Sequence, residues 1–181
     1  ERAAAGRDYA NVCNATRPEP QYKSHPINCV TVFEAEAYCA WRGARLPTSP
    51  EWDLAAGGPD PGRVFPWGPT LGDGHALNAC GTECAERTGI AERYPGTDDY
   101  PTTAPVGAVS ADVSPEGVHD LAGNVSEWVA AGPWERDPGK RTTRGGNWLF
   151  PPVSPMRRAV HQTAPNHRGR STGFRCAADA R

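Results

Sequence analysis

The chain contains the stretch Asp120-Leu121-Ala122-Gly123-Asn124-Val125-Ser126-Glu127-Trp128, in which carboxylates stand at both ends of a glycine-containing turn. The backbone carbonyls between them are left free to coordinate a hard cation. A second stretch, Arg144-Gly145-Gly146-Asn147-Trp148, has paired glycines that permit close approach of two backbones. Gly173-Phe174-Arg175-Cys176 again joins glycine, an aromatic residue and arginine. The simplest packing for 144–148 and 173–176, together with Met156-Arg157-Arg158-Ala159-Val160-His161, is a core strand pair with arginine buried against acids.

Two helices are signalled upstream of these turns. Thr31-Val32-Phe33-Glu34 is a capping box, and the helix it opens runs through Trp41 to the left-handed stop at Gly43. Thr48-Ser49-Pro50-Glu51 repeats the device, with a helix that ends at Gly57. Residues 58–115 show almost no periodicity and are expected to form an ordered coil. Short strands are expected at Gly117–Leu121, Ser126–Ala130, Thr142–Trp148 and Gly173–Ala177.

Composition indicates one loop-rich domain over residues 1–181. The chain has 20 Gly and 19 Pro, a share typical of disordered segments, but also 6 Trp, 5 Tyr and 4 Phe, which disordered chains lack. The net charge of −2 provides no electrostatic footprint for nucleic acid or an anionic membrane. No apolar run approaches the ~18 residues of a spanning helix, so membrane insertion is not expected. The chain begins without Met, and we expect it to be part of a larger protein.

Six cysteines, an even number in a loop-rich domain, favour disulfides and an extracytoplasmic or secreted location. The expected pairs are Cys13–Cys29, Cys80–Cys84 and Cys39–Cys176. One alternative is a set of reduced, buried thiols in a cytosolic protein. Another is a zinc site from Cys80, Cys84 and His75, which lacks a fourth ligand.

A second stretch of turn acids, Gly96-Thr97-Asp98-Asp99-Tyr100, forms a candidate cation site, which Asn78-Ala79 could complete. The alternative is that these acids, and those at 120–127, are simply solvated. No nucleophile, phosphate-loop or zinc-protease motif is present, and His119 and His161 stand isolated. Asn14-Ala15-Thr16 and Asn124-Val125-Ser126 match the glycosylation triplet, a pattern common by chance.

Taken together, six motifs resemble the formylglycine-generating enzyme (sulfatase-modifying factor) family. They occur in the family's order between Pro26 and Ala178. The resemblance implies an α+β, C-type-lectin-like fold of low regular secondary structure, with an N-terminal lead that is truncated or divergent. The motifs are Ala37-Tyr38-Cys39-Ala40-Trp41, Arg45-Leu46-Pro47-Thr48 with Glu51-Trp52, Phe65-Pro66-Trp67-Gly68, Gly123-Asn124-Val125-Ser126-Glu127-Trp128, Arg144-Gly145-Gly146-Asn147-Trp148 and Gly173-Phe174-Arg175.

The resemblance also implies one or two calcium ions. The first would take the side chains of Asn78 and Asp98 and the carbonyls of Ala79 and Tyr100. The second would take the side chains of Asp120 and Glu127 and the carbonyls of Gly123 and Val125. Oxygen donors stand at every one of these positions, as calcium requires.

Catalysis does not follow from the resemblance. Formylglycine-generating enzymes bind copper through a C-x4-C pair just after the paired glycines, and soft sulfur is what selects Cu(I). The matching positions here are Phe150 and Pro155, so no catalytic residue and no copper are expected.

The preferred hypothesis is a non-catalytic, calcium-stabilised ligand-binding or sensory module, as in many bacterial relatives without the pair. Its unknown ligand would be a peptide, a protein or a glycan. The candidate cleft runs along 147–162, with Asn147, Trp148, Phe150, Arg157, Arg158 and His161, although Trp148 and Arg158 could equally be core and salt-bridge residues. The alternatives are a divergent metal-dependent oxidoreductase and a purely structural interaction domain.

Overall fold

The computed structural model describes residues 12–17, 19–60, 62–72, 75–151 and 159–179. Its three α-helices are α1 (Val32–Trp41), α2 (Ser49–Gly57) and α3 (Thr82–Thr88). Its four strands are β1 (Ser126–Trp128), β2 (Arg141–Arg144), β3 (Val160–Thr163) and β4 (Thr172–Phe174). Among the described residues before α1 are the short 3-10 helices Asn14–Thr16 and Pro20–Ser24. The predicted α+β class with little regular structure is confirmed.

One mixed sheet lies at the centre, with strand order β3-β2-β1-β4. Strand β2 pairs antiparallel with both β1 and β3, whereas β4 pairs parallel with β1. Parallel pairing requires a long connection, and the chain between β1 and β4 includes the other two strands. The sheet therefore brings the C-terminal residues against residues 126–128.

Both predicted capping boxes are present. The Thr31 side chain accepts from the Glu34 N–H while the Glu34 carboxylate accepts from the Thr31 N–H, and Thr48 and Glu51 do the same for α2. Gly43, beyond the end of α1, adopts a φ of 71° as the left-handed stop predicts. These two helices follow from local sequence because each cap satisfies its own free backbone donors.

The strands differ in part from expectation. The predicted strand at Gly117–Leu121 is wrong, since only an isolated bridge joins Val113 to His119 there. Strand β2 ends at Arg144 because Gly145 takes a φ of 85°, which no strand can continue. Strand β3 and helix α3 were not expected; α3 has no side-chain cap at Gly81, so it leaves no capping signal in the sequence.

Three buried apolar clusters fill the interior around the sheet and helices. One surrounds Trp52, Leu77 and Leu121, and a second joins α1 to the sheet through Trp128. The third holds Trp148 beside the Cys80–Cys84 disulfide. Among the described residues, no helix is long and apolar enough to cross a membrane.

All three predicted disulfides are confirmed: Cys13–Cys29, Cys39–Cys176 and Cys80–Cys84. All six cysteines of the sequence are thereby used, and no free thiol is left. The zinc site at Cys80, Cys84 and His75 is therefore wrong, because zinc binds thiolates and these sulfurs are bonded to each other.

Candidate cation and ligand sites

The first predicted calcium set comes together around the Asp98 carboxylate. Its Oδ2 accepts the Ala79 N–H at 2.6 Å and the Asn78 Nδ2–H at 3.0 Å, and its Oδ1 accepts the Tyr100 N–H at 2.8 Å. The Asn78 amide also donates to the Thr102 carbonyl at 3.0 Å. Both N–H bonds of the Asn78 side-chain amide therefore donate, one to Asp98 and one to the Thr102 carbonyl, and the amide oxygen lies on the other side of the amide group.

Two acceptor groups in this region lack hydrogen-bond partners among the described residues. The Asn78 Oδ1 atom is buried without one, in a side chain that is 1% exposed. Both carboxylate oxygens of Glu83, in the first turn of α3, are also buried without one. Buried acceptors of this kind normally have a donor or a cation. Glu83 was missed by the sequence analysis, where its only signal was an acid close to Asn78.

Charge at this site is unbalanced as well. Burial raises the pKa of Asp98 to about 7, and the negative charge of Glu83 adds to the effect. The described residues contain no cluster of three or more His, Cys, Asp or Glu side chains placed for a metal ion. Any cation here would therefore be held by a mixed set of carboxylate, amide and backbone oxygens, which is the kind of donor set that calcium accepts.

In the second predicted calcium set, the Glu127 carboxylate is paired with an arginine side chain. The Glu127 carboxylate accepts the Arg175 Nε–H and Nη2–H, both at 2.6 Å, and the Trp52 Nε1–H at 2.7 Å. The same guanidinium donates to the His119 carbonyl at 2.9 Å. The Arg175 guanidinium thus pairs with the carboxylate that a second calcium ion would use. The carboxylates of Asp120 and Glu127 keep acceptor positions that these hydrogen bonds do not occupy, so the second calcium set stays a prediction.

Asp120, Gly123 and Val125 of that second set shape the turn. Asp120 accepts the Gly107 N–H at 2.7 Å and has a φ of 59°. The Gly123 N–H donates to the Asp112 carboxylate at 2.9 Å, and a Cβ on Gly123 would lie 2.4 Å from the Asn78 carbonyl oxygen. Val125 is buried beside them. The turn is therefore stabilised by side chains and close backbone packing.

Asp112 is a second residue that the sequence analysis missed. It is 1% exposed, and its carboxylate accepts backbone N–H groups from Ala122 and Gly123. Burial raises its pKa to about 7. No sequence motif marks Asp112, because its contact with the Ala122 and Gly123 N–H groups depends on how residues 107–112 pack against the turn.

Neither glycosylation triplet presents its asparagine to solvent. Asn14 is 7% exposed and its Nδ2 donates to the Pro26 carbonyl at 2.7 Å. Asn124 is 1% exposed and exchanges side-chain hydrogen bonds with the Ala104 backbone. Both amides are used inside the fold.

The predicted ligand cleft is brought together only in part. Asn147 is buried, and its Oδ1 accepts the N–H groups of Leu149 and Phe150 at 3.0 and 2.8 Å. Trp148 is 1% exposed and its Nε1–H donates to the Arg170 carbonyl at 3.3 Å. Both side chains are buried, which matches the core alternative for Trp148.

Phe150 and His161 lie at the surface. Phe150 is 51% exposed, with the Arg93 guanidinium 4.9 Å from its ring centroid. His161 is exposed on the edge strand β3, opposite Thr143. Arg157, Arg158 and Pro155 lie outside the described residues. Of the predicted cleft residues that the structure describes, only Phe150 and His161 could meet a ligand directly.

Comparisons with known proteins agree with this architecture. Residues 3–180 match the sulfatase-modifying factor enzyme 1-like domain. The chain is 32% identical over 165 residues to inactive C-alpha-formylglycine-generating enzyme 2 of Bos taurus, covering 86% of this chain and 50% of that protein. It is 36% identical over 180 residues to formylglycine-generating enzyme of Thermomonospora curvata, covering 86% and 56%.

Among solved structures, PvdO from Pseudomonas aeruginosa matches with a TM-score of 0.61 and 25% sequence identity, covering 87% of this chain and 62% of that one. The chain spans about half the length of the curated relatives it matches. With the domain matched over nearly its whole length, the chain belongs to the sulfatase-modifying factor family.

Proposed function

We propose that this chain is a non-catalytic, calcium-stabilised ligand-binding module of the sulfatase-modifying factor family, acting in an extracytoplasmic compartment. The observation that carries the proposal is the use of all six cysteines in disulfides. The copper chemistry of the family requires a pair of thiolates, and this chain has Phe150 and Pro155 at the two matching positions. The similarity to proteins named inactive formylglycine-generating enzyme 2 supports the same view.

Calcium would be held by the first predicted set with one addition. The side chains of Asn78, Asp98 and Glu83 would provide oxygens, together with the carbonyls of Ala79 and Tyr100. The Ala79 carbonyl accepts the Gly81 N–H at 2.8 Å, which leaves its second lone pair available. The bound ion would supply the positive charge that the two carboxylates lack and would join residues 78–83 to residues 98–100.

Thermal unfolding in calcium and in chelator tests this part. Calcium should raise the melting temperature of the native chain, and Glu83→Gln should abolish most of that rise by removing one charged ligand. Glu86→Gln is the matched control, because Glu86 is an exposed acid on the same helix. A native chain whose melting temperature does not respond to calcium would contradict the calcium site.

The compartment rests on the disulfides, which persist in oxidising environments. Mass spectrometry of the chain isolated from its host, with thiols alkylated before lysis, tests this. Fully bonded cysteines are expected, and alkylated Cys39 or Cys176 would contradict an extracytoplasmic location.

Ligand binding is supported by the half-exposed Phe150 beside Arg93 and by the exposed His161 on an edge strand. A melting scan of the calcium-loaded chain against short peptides and neutral oligosaccharides should give a further rise with one class. A chain that responds to neither class is a structural domain. Stoichiometric copper binding would instead favour the oxidoreductase, for which the similarity to formylglycine-generating enzyme provides the precedent.

A further inference from the structure

A concave surface lies against helix α2, and Arg144 of β2 is among the residues that line it. It is an open groove with a volume of about 530 Å³. Pro50, Leu54 and Pro59 line it on the α2 side, and Trp134 lines it on the other. Leu54 is 56% exposed, so this apolar surface is open to solvent.

Trp134 is held in a fixed position. Its Nε1–H donates to the Ala130 carbonyl at 3.1 Å. A Cβ on Gly132 would lie 2.2 Å from the ring, so only glycine at this position allows the indole to pack on the backbone. An aromatic ring fixed in this way loses little freedom when a ligand packs on it.

The polar part of the cleft is an ion pair between Asp53 and Arg144. Arg144 is 2% exposed, and its guanidinium lies 5.2 Å from the centroid of the Trp52 ring. The Asp53 side chain is 32% exposed, so its carboxylate reaches the cleft with its orientation set by the buried guanidinium.

The lining carries one acid and one base, which neutralise each other. This arrangement disfavours a phosphate, which Asp53 would repel, and a lysine or arginine side chain, which Arg144 would repel. It suits a neutral molecule with hydroxyl groups on one side and C–H groups on the other. Hydroxyls would donate to the Asp53 carboxylate, and the C–H face would pack on the Trp134 ring.

We propose that the cleft between α2 and Trp134 binds a neutral carbohydrate chain, an inference that rests on the proposed ligand-binding function and gives it a position and a ligand class. The Asp53–Arg144 pair orients the acceptor, and Trp134 provides the stacking face. Phe150 and His161 are not among the residues that line this cleft.

The test is calorimetric titration of the calcium-loaded chain with cellotetraose, maltotetraose and tetra-N-acetylchitotetraose. At least one should bind, and Trp134→Ala should weaken that binding at least about tenfold. Trp134→Phe should retain part of it, because a smaller aromatic face remains. Trp41→Ala is the control, since Trp41 is 75% exposed on α1, outside the cleft. Circular dichroism melts should show all variants folded.

The outcomes separate the two proposals. Binding that survives Trp134→Ala but is lost in Phe150→Ala would overturn the carbohydrate cleft and leave the ligand-binding module in place. Failure of all three tetrasaccharides, with a melting response to a peptide, would do the same. Failure of saccharides and peptides together would overturn both.

Discussion

Replacing Arg175 by Met would leave the buried Glu127 carboxylate with the Trp52 indole as its only remaining donor among the hydrogen bonds described above. The Glu127 side chain is 5% exposed and that of Arg175 is 28% exposed. Breaking a buried ion pair on one side costs about 3–5 kcal/mol of unfolding free energy, because it leaves an uncompensated charge. The partial exposure of Arg175 places the expected loss toward the lower end of that range.

The loss converts to a melting temperature through the entropy of unfolding. For a chain of 181 residues this entropy is about 0.4 kcal/mol/K near 60 °C, so a loss at the lower end of the range should lower the melting temperature of Arg175→Met by about 8 to 10 °C. The assay is scanning calorimetry at pH 7 with the disulfides intact. The double variant Glu127→Gln/Arg175→Met should recover most of the loss, because it removes both charges together.

Two results would refute this reasoning. A fall of less than about 2 °C in Arg175→Met would mean that the pair contributes little in the folded chain. A fall that added calcium reverses, in Arg175→Met but not in the double variant, would mean that Glu127 can serve as a calcium ligand.

Two further predictions concern the disulfides and the stability of the chain in acid. The entropy of loop closure predicts that replacing Cys39 and Cys176 by alanine lowers the free energy of unfolding by about 5 kcal/mol, because that disulfide spans a sequence separation of 137. Replacing Cys80 and Cys84 should lower it by about 2 kcal/mol, because that disulfide spans a separation of 4. Equal shifts of the melting temperature in calorimetry would contradict this. The second prediction concerns pH. Hydrogen bonds from arginine side chains lower the pKa of Glu34 and of Glu51 in the folded chain to about 2. The stability that these two carboxylates contribute is therefore present above about pH 4.5 and is lost as the pH falls toward 2. The double variant Glu34→Gln/Glu51→Gln should flatten the fall in stability over this pH range. An unchanged slope would show that these carboxylates do not cause it.

Much of the local structure follows from sequence. Both capping boxes are confirmed, because a cap is formed by residues three apart and needs no distant partner. The three disulfides also follow the predicted pairing. The family follows from six motifs in order, because each motif fixes a turn or a contact that the fold needs.

Which side chains are buried and which face solvent was harder to predict from the sequence. Phe33 and Trp41 recur at helical spacing with Ala37, yet they are 56% and 75% exposed, and α1 buries Val32, Ala35 and Cys39 instead. Periodicity identifies a helix, but which of two apolar faces meets the core depends on the elements that pack against it. Here that element is the sheet, through Trp128.

The sequence by itself determined the two capped helices, the loop-rich α+β class and the family of this chain. Only the tertiary structure decided what each charged group meets. A carboxylate in a tight turn can bind a calcium ion or a guanidinium equally well, and the choice depends on which residue the fold brings to it. Strand β4, parallel to β1, brings Arg175 to Glu127, whereas no described cation reaches Glu83 beside Asn78 and Asp98. The same long-range packing places Asp53 on Arg144 next to Trp134, a juxtaposition without any local signal.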